Sequence, residues 1–406
     1  MTINKGILIT VATVIIPVFI QLVYIRYVSY EVSPEVFGNF ALLLTLVAAI
    51  SSILLTIPST AFVRYFNETK HKNRYINEFR TLLIPVNILS LFIIIIYSFF
   101  MKQFDFITLS LICIFLFLQN NISLNRQIVL QNLQRKNYFF INILEKSSKF
   151  FFPILLFFIF ETLDSLIYGL LLGSIILTVV ITYFNKKYKF NITFSFRRLR
   201  IYFTYAYPII FTSMFTWVIV FSDRYFINYY LDTSSVGIYA LLAQVAAFTS
   251  ILNAMFSMYV NPIVYKLYSE DRNRAITKLF FYIKMYFILV LSITFIIMLL
   301  PKSVFNILLK PEILQNDHFY YTFIVLICGS IFSIFQNALS LFFTLEKHLN
   351  VLGKFWFLAA IVNVIGNFYI EEYGIIAAAT STCISYFLVM ALNLLWIFKI
   401  KKLSHV

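Results

Sequence analysis

Long apolar segments follow one another along almost the whole of this 406-residue chain. Each is close to the roughly 20 residues that an α-helix needs to cross the hydrocarbon core of a bilayer. Hydrophobic residues make up 61% of the chain and charged residues only 12%, too few charges to cover a soluble surface. The sequence therefore predicts an integral membrane protein and excludes a soluble enzyme, a disordered chain and a disulfide scaffold.

Twelve apolar runs are long enough to be membrane spans, and the predicted fold class is all-α and polytopic. The predicted spans are 7–30, 36–62, 82–100, 106–125, 141–160, 165–184, 202–230, 236–262, 280–300, 319–343, 353–370 and 374–398. An even number of spans places both termini on the same side of the membrane.

The distribution of basic residues indicates on which side of the membrane the two termini lie. With the N-terminus inside, 27 of the 32 Lys and Arg residues fall in inner loops and termini, while 11 of the 17 acids fall outside. Cytoplasmic loops of membrane proteins carry such an excess of Lys and Arg. Both termini are therefore predicted to be cytoplasmic, and the net charge of +15 is explained without nucleic acid as a partner.

Two segments half a chain apart resemble each other. VFGNFALLLTLVAA begins at Val36 and VGIYALLAQVAA begins at Val236, which aligns Gly38 with Gly237. Six predicted spans separate the two segments, so the repeat is parallel, with its axis along the membrane normal. We predict two six-helix bundles, residues 1–190 and 202–406, joined by a basic cytoplasmic linker at 191–201. Such paired bundles are typical of transporters that alternate access to a central cavity.

Signs of enzyme chemistry are missing from the sequence. It has no phosphate-cradling Gly-rich loop, and its four His residues show no metal-ligand spacing. The cysteines Cys113, Cys328 and Cys383 are dispersed in apolar runs, so they are interpreted as core residues. The prediction is therefore a non-enzyme without cofactor or metal. The short outer loops argue against a polysaccharide polymerase or ligase, although enzymes with short loops remain open.

Two arginines occupy corresponding places in the repeat. Arg26 precedes Gly38 by 12 residues, and Arg224 precedes Gly237 by 13. Each is predicted to lie about 9 Å inside a helix end, at about 1.5 Å per residue. Arginine binds phosphate through a planar, permanently charged fork, so the pair is a candidate pyrophosphate site, with Asp223 orienting Arg224. The alternative is that both arginines snorkel to the outer interface.

Other polar residues in the spans allow two interpretations each. Arg64, at the end of the second span, and Lys284, in the ninth, either meet an anionic head group or follow the general inside excess of positive charge. Asn363 and Asn367 share one helix face, where they either line a wet cavity or hydrogen-bond to a neighbouring helix. The acids were all placed at span ends or in loops, which disfavours an exporter of cations.

The stretch from Tyr207 to Ala240 resembles a family signature. It contains Tyr207-Pro208, Trp217, Ser222-Asp223-Arg224-Tyr225 and Val236-Gly237-Ile238-Tyr239-Ala240. This pattern is similar to that of the polysaccharide repeat-unit flippases, the Wzx-type exporters of O-antigen or capsule units. They belong to the MOP superfamily, which also contains the MATE exporters and the lipid II flippases. Pro34–Gly38 with Arg64, and Tyr373-Gly374-Ile375, resemble further parts of the pattern, whereas Ala377–Ala379 lacks the glycine that often precedes these alanines.

The resemblance implies a MATE-like fold and a transport reaction in which no bond is made or broken. An undecaprenyl-pyrophosphate-linked oligosaccharide would be moved from the inner to the outer leaflet of a bacterial inner membrane for O-antigen or capsule synthesis. The implied substrate-binding residues are Arg26, Arg64, Asp223, Arg224 and Trp217. The implied partners are the lipid-linked oligosaccharide, membrane lipids, a polysaccharide polymerase and a chain-length regulator. A multidrug or lipid II exporter of the same superfamily is the alternative.

Overall fold

The structure is a computed structural model that describes residues 2–66, 69, 71–100, 104–132, 134–188 and 190–403. These residues are almost entirely α-helical, and none of them forms a β-strand. The contacts divide the chain into two compact units, Met1–Met214 and Phe215–Val406. The predicted boundary at 191–201 lies close to this division.

The first unit contains seven helices and the beginning of an eighth. They are α1 (Thr2–Glu31), α2 (Pro34–Leu54), α3 (Thr56–Tyr65), α4 (Lys72–Phe100), α5 (Phe106–Gln131), α6 (Arg135–Phe160), α7 (Leu163–Phe184) and α8 (Phe196–Phe221). An aromatic cluster from α3, α4 and α8 forms part of its core, with Phe62, Tyr75, Phe79 and Tyr202 in ring contact.

The second unit holds the end of α8 and ten further α-helices. They are α9 (Asp223–Tyr230), α10 (Thr233–Ala246), α11 (Ser250–Glu270), α12 (Arg272–Leu299), α13 (Lys302–Phe305), α14 (Pro311–Gln315), α15 (Asp317–Leu345), α16 (Leu349–Asn367), α17 (Ile370–Tyr373) and α18 (Ile375–Leu403). A 3₁₀ turn at Ala247–Thr249 joins α10 to α11. The main core of this unit is formed by apolar faces of α11, α12, α15, α16 and α18.

Each of the twelve predicted spans corresponds to a helix or to a pair of consecutive helices. Among the described residues, ten helical segments are long and apolar enough to cross a membrane. The helices of the two remaining predicted spans, α1 and α6, are not among these ten segments. In α6, Glu145, Lys146 and Lys149 interrupt the apolar sequence, while only the second half of α1 has described side chains. The protein is an all-α, multi-pass membrane protein.

The two repeat segments begin their helices in the same way. The Ser33 hydroxyl accepts a hydrogen bond from the Val36 amide at 3.3 Å and caps α2. The Asp232 carboxylate accepts one from the Ser235 amide at 2.6 Å and caps α10. Such side chains satisfy amides that have no partner in the first helical turn. The local likeness therefore extends to the structure, while superposition of the complete halves stays a prediction.

The predicted linker is partly helical. Helix α8 begins at Phe196, six residues before the predicted start of the seventh span, so only residues 191–195 lie outside a helix. Arg198, predicted to be a linker residue, lies 2.5 Å from the buried carboxylate of Glu78 on α4. This ion pair fixes the first turns of α8 to the first unit.

Glu145 is the fifth residue of the predicted span 141–160. It is buried in the third turn of α6. Its carboxylate accepts hydrogen bonds from Arg126 of α5 at 2.6 Å and from Lys149, one turn further along α6, at 3.3 Å. Two basic partners offset the cost of removing a carboxylate from water. The Arg126–Glu145 pair joins α5 to α6, and the placement of all acids at span ends or in loops stays a prediction.

Candidate functional site

The second unit encloses a cavity of about 290 Å³. Its wall includes small residues that leave space, and hydroxyl and amide side chains that make part of the surface polar. The small residues are Ala243, Ala246, Ala247, Gly329 and Ala379, and the polar ones are Asn253, Ser330, Ser333, Asn337 and Thr382. Asp223 and Arg224 are the charged residues of this wall.

A break in the helix places the two charged residues in the wall. Helix α8 ends at Phe221 and α9 begins at Asp223, with Ser222 between them. The Ser222 hydroxyl lies 3.4 Å from the Asn363 side-chain oxygen, within hydrogen-bonding range. Ser222 keeps a right-handed helical conformation, and its carbonyl accepts from the Tyr225 and Phe226 amides, so the two helices are separated by a one-residue irregularity. The expected continuation of the seventh span past Arg224 is thus present, but as a second short helix.

The Asp223 carboxylate is held by two donors. Its Oδ1 atom accepts a hydrogen bond from the backbone amide of Arg224 at 2.8 Å. Its Oδ2 atom accepts a short hydrogen bond from the Tyr239 hydroxyl on α10. Asp223 is only 2% exposed, and a buried carboxylate is costly unless both hydrogen bonds and a nearby positive charge compensate it. Asp223 is therefore fixed in position beside Arg224.

Arg224 is more accessible than its acidic neighbour. It is half-buried, and its guanidinium carbon lies 5.1 Å from the centre of the Phe221 ring. A guanidinium over an aromatic face is stabilised by the ring's quadrupole and is partly shielded from lipid. The charge that a molecule in this cavity meets most readily is therefore positive.

The other predicted site residues do not line this cavity. Arg26 is exposed on α1, with its guanidinium 5.0 Å from the Tyr30 ring centre. Arg64 is exposed near the end of α3, 5.6 Å from the Tyr65 ring centre. Trp217 is half-buried on α8, and its ring centre is 6.4 Å from that of Tyr225. Lys284 is exposed on α12. Asp223 and Arg224 are thus the predicted site residues that line this cavity, and substrate binding by all of the predicted residues stays a prediction.

Asn363 and Asn367 serve helix packing. Both are fully buried in α16 and face α18. Asn363 donates to the Thr382 hydroxyl at 3.2 Å, and the Ser381 hydroxyl donates to the Asn367 side-chain oxygen at 2.7 Å. Gly366 lies between the two asparagines, where an added Cβ would approach the Ser381 Cβ to 2.5 Å. Of the two interpretations of these asparagines, the structure supports hydrogen bonding between helices.

Tyr239 is a site residue that the sequence analysis quoted only as part of a motif. It lies 16 residues after Asp223, on the far side of a turn, so no helical spacing connects the two. The usable signal was a tyrosine inside an otherwise apolar repeat segment, because a buried hydroxyl requires a partner. Asn253, which falls within the predicted span 236–262, also lines the cavity.

Two further predictions concern the cysteines and metal binding. Cys113, Cys328 and Cys383 are half-buried and form no disulfide. Within the described residues, no group of three or more His, Cys, Asp and Glu side chains is arranged to hold a metal ion.

Comparison with known families identifies the chain. A family model described as "Polysaccharide biosynthesis protein" matches residues 32–315, well over half of the sequence. The chain belongs to this family. Comparison with curated protein sequences gave no significant match. The match to the polysaccharide biosynthesis protein family covers α2 to α14, and therefore includes Asp223, Arg224 and Tyr239.

Solved structures of transporters share the fold. The lipid II flippase MurJ, in an inward closed conformation, is 17% identical, with a TM-score of 0.73 over 96% of this chain and 86% of that one. An inward-facing multidrug resistance MATE family transporter of the MOP superfamily is 13% identical, with a TM-score of 0.70 over 97% and 99%. A MOP superfamily transporter from Pyrococcus furiosus, described as having a binding pocket of reverse polarity, is 15% identical, with a TM-score of 0.62 over 98% of this chain and 96% of that one. The fold of this polysaccharide biosynthesis protein is therefore the MATE-like fold of the MOP superfamily, as the sequence resemblance implied.

Proposed function

We propose that this protein is a flippase for a lipid-linked oligosaccharide. Its substrate is an undecaprenyl-pyrophosphate-linked repeat unit, moved from the inner to the outer leaflet of a bacterial inner membrane for O-antigen or capsule synthesis. Membership of the polysaccharide biosynthesis protein family and a fold shared with a lipid II flippase support this class of substrate. The protein carries no chemical step, so a separate polymerase and a chain-length regulator act on the exported units.

One observation carries the proposal: a half-buried arginine lies beside a buried carboxylate in the wall of a cavity. Both oxygens of Asp223 accept hydrogen bonds, and the residue is almost inaccessible, whereas Arg224 is half-buried and lines the cavity. An anion entering the cavity therefore meets the positive member of the pair. Arginine suits a pyrophosphate because its fork donates two parallel hydrogen bonds to phosphate oxygens. Arg26, Arg64 and Trp217 are proposed to bind other parts of the same substrate.

Arg224 provides the decisive variants. Arg224→Ala removes both the charge and the fork, while Arg224→Lys keeps the charge alone. A hydrogen bond to a charged group contributes about 1.5–3 kcal/mol, so the loss of one such bond in Arg224→Ala should slow export about tenfold to a hundredfold. Arg224→Lys should restore part of the rate. Arg274→Ala, at an exposed position of α12, is the matched control and should export normally.

The assay is the amount of lipid-linked repeat unit in each leaflet, measured in cells that lack the native gene and express each variant at equal levels. We expect the unit to accumulate in the inner leaflet in Arg224→Ala cells. Wild-type export by a normally expressed Arg224→Ala protein would refute the proposed site. Normal export in cells lacking the protein altogether would refute the function.

Asp223 favours a second candidate function, which is export of a cation. An exporter of cations usually holds an acidic side chain within its helices, and Asp223 lies in the cavity wall. A cation exporter should confer resistance to cationic dyes, and Asp223→Asn should abolish that resistance. Resistance of this kind, together with normal distribution of the repeat unit, would select this function over the flippase.

A further inference from the structure

A groove on the first unit runs along α4 and α5 and has a polar and an apolar end. The polar end is a cavity of about 540 Å³. The apolar end is a cavity of about 180 Å³. Asn87 and Phe117 line both cavities, so the two form one continuous groove. This groove is separate from the cavity that contains Arg224, which is lined by residues of the second unit only.

Helix α4 forms one wall along the whole length of the groove. Arg80 lines the polar end, Asn87 the junction, and Leu91 and Ile94 the apolar end. These positions recur at the three- and four-residue spacing that places side chains on one helix face. Arg80 and Ile94 are 14 residues apart, about 21 Å at about 1.5 Å per residue. The groove is therefore long enough for most of an extended lipid acyl chain.

The polar end is built around Arg80. Its guanidinium donates to the backbone carbonyl of Tyr188 at 2.8 Å and to the Asn125 side-chain oxygen at 3.0 Å. The Asn185 side chain in turn donates to the backbone carbonyl of Asn125 at 3.0 Å. These bonds attach the segment after α7 to α4 and α5, and they hold Arg80 half-buried in the cavity wall.

The charges at this end are basic. Lys186 is exposed and lines the same cavity, with its ammonium 4.8 Å from the Tyr183 ring centre. No acid occurs among the described residues that line either cavity. Asn185 is 2% exposed, and its side-chain oxygen has no hydrogen-bond partner within the described part of the chain. A ligand with a phosphate for the two cations and a hydroxyl for this oxygen would complement the cavity.

The apolar end opens on a hydrophobic surface. Ile88, Leu91 and Phe117 are 64%, 49% and 52% exposed. In a membrane protein such side chains contact lipid, because no water is present to penalise them. The basic end lies on the predicted cytoplasmic side, where basic pockets between helices bind anionic head groups.

We propose that this groove binds an anionic phospholipid of the inner leaflet, of the phosphatidylglycerol class. The phosphate contacts Arg80 and Lys186, a glycerol hydroxyl donates to the Asn185 side-chain oxygen, and one acyl chain follows α4 and α5 towards Ile94. The site is independent of the transported substrate, so it stands whether or not the protein is a flippase.

Two pairs of matched variants test the two ends. Lys186→Gln removes a cation from the cavity, and Lys187→Gln is its control, because Lys187 does not line the cavity although its ammonium also lies over a tyrosine ring, at 4.8 Å from that of Tyr188. Leu91→Trp fills the apolar end, and Leu89→Trp is its control at a position that is equally exposed but outside the groove. All four substitutions are at exposed or half-exposed positions, so the variants are expected to fold.

The experiment is native mass spectrometry of the full chain in detergent with phosphatidylglycerol and with phosphatidylcholine of identical acyl chains. Wild-type protein should prefer phosphatidylglycerol. Lys186→Gln should reduce its binding roughly fivefold, the effect of about one basic residue near an anionic lipid surface, while Lys187→Gln leaves it unchanged. Leu91→Trp should weaken binding of both lipids and Leu89→Trp of neither. Glycerol phosphate, which has no acyl chain, should not compete.

Three results would overturn the proposal. Equal binding of the two lipids, or equal effects of Lys186→Gln and Lys187→Gln, would show that the cations do not select the head group. If glycerol phosphate competed fully and Leu91→Trp left binding unaffected, the ligand of the polar end would be a free phosphate. Tighter binding of a polyprenyl phosphate, sensitive to Lys186→Gln and Leu91→Trp, would assign the groove to the carrier lipid.

Discussion

The hydrogen bond from Tyr239 to Asp223 should stabilise the second unit measurably. Tyr239→Phe removes the hydroxyl donor and keeps the ring. Hydrogen bonds to charged groups contribute about 1.5–3 kcal/mol to stability. Asp223 is almost fully buried, but it borders a cavity in which water can replace the lost donor, so the lower part of this range is expected.

The expected change in melting temperature follows from the size of the unit. A change of 1 kcal/mol shifts the midpoint by about 2–4 °C in a domain of 150–250 residues. Tyr239→Phe should therefore lower it by about 3–6 °C. The measurement is thermal unfolding in one detergent at a fixed scan rate, because unfolding of large proteins is often irreversible and depends on that rate.

Tyr286→Phe is the matched control. Tyr286 is buried like Tyr239, but its hydroxyl has no hydrogen-bond partner in the described part of the chain. Removing it should leave the melting temperature unchanged or raise it. A double-mutant cycle with Asp223→Asn then isolates the interaction, since directly contacting residues show non-additive effects. Equal midpoints for Tyr239→Phe and Tyr286→Phe, or additivity in the cycle, would refute the role assigned to Tyr239.

Three further predictions test the fold. Glu145→Gln leaves Arg126 and Lys149, which are 27% and 41% exposed, without their acid, so it should destabilise the first unit by about 1–2 kcal/mol, seen as a lower melting temperature in detergent. Gly169→Ala places a Cβ 2.4 Å from the backbone of Pro153, so α6 and α7 should separate and the yield of monodisperse protein should fall. Cysteines introduced at the exposed positions Arg197 and Glu371 test the topology. An impermeant outside reagent should label only the second, and labelling of the first in intact cells would contradict the predicted orientation.

The existence of the helices was predictable because the bilayer imposes length and apolarity on each span. The ends of the helices were less predictable. Helix α4 begins at Lys72, ten residues before its predicted span, and α12 begins at Arg272, eight before its own. Apolar sequence marks the part of a helix within lipid, whereas backbone hydrogen bonds continue a helix into the polar region beyond it. The break at Ser222 was not predicted because apolar and aromatic residues resume at Tyr225, and the predicted span continues to residue 230.

The site was predictable only where its residues are adjacent in sequence. Asp223 and Arg224 were found together because they are consecutive and belong to a motif. Tyr239 reaches Asp223 only through the packing of α10 on α9, and Arg126 reaches Glu145 only through the packing of α5 beside α6. Contacts of this kind depend on how the helices pack against one another. The hydropathy of a sequence carries no information on this packing. Hydropathy also gave no sign of the groove on α4 and α5, since exposed and buried apolar residues are alike in sequence.

The arrangement at Asp223 also explains how an arginine can be kept available in a span. An arginine at the centre of a membrane helix costs about 2.5–3.5 kcal/mol on insertion scales. The neighbouring carboxylate reduces this cost by making the pair neutral, and the Phe221 ring shields one face of the guanidinium. Asp223 is itself fixed by the Arg224 amide and the Tyr239 hydroxyl, so it is almost inaccessible to a molecule in the cavity. The acid therefore stabilises the half-buried cation in the cavity wall, which is the arrangement that the proposed pyrophosphate site requires.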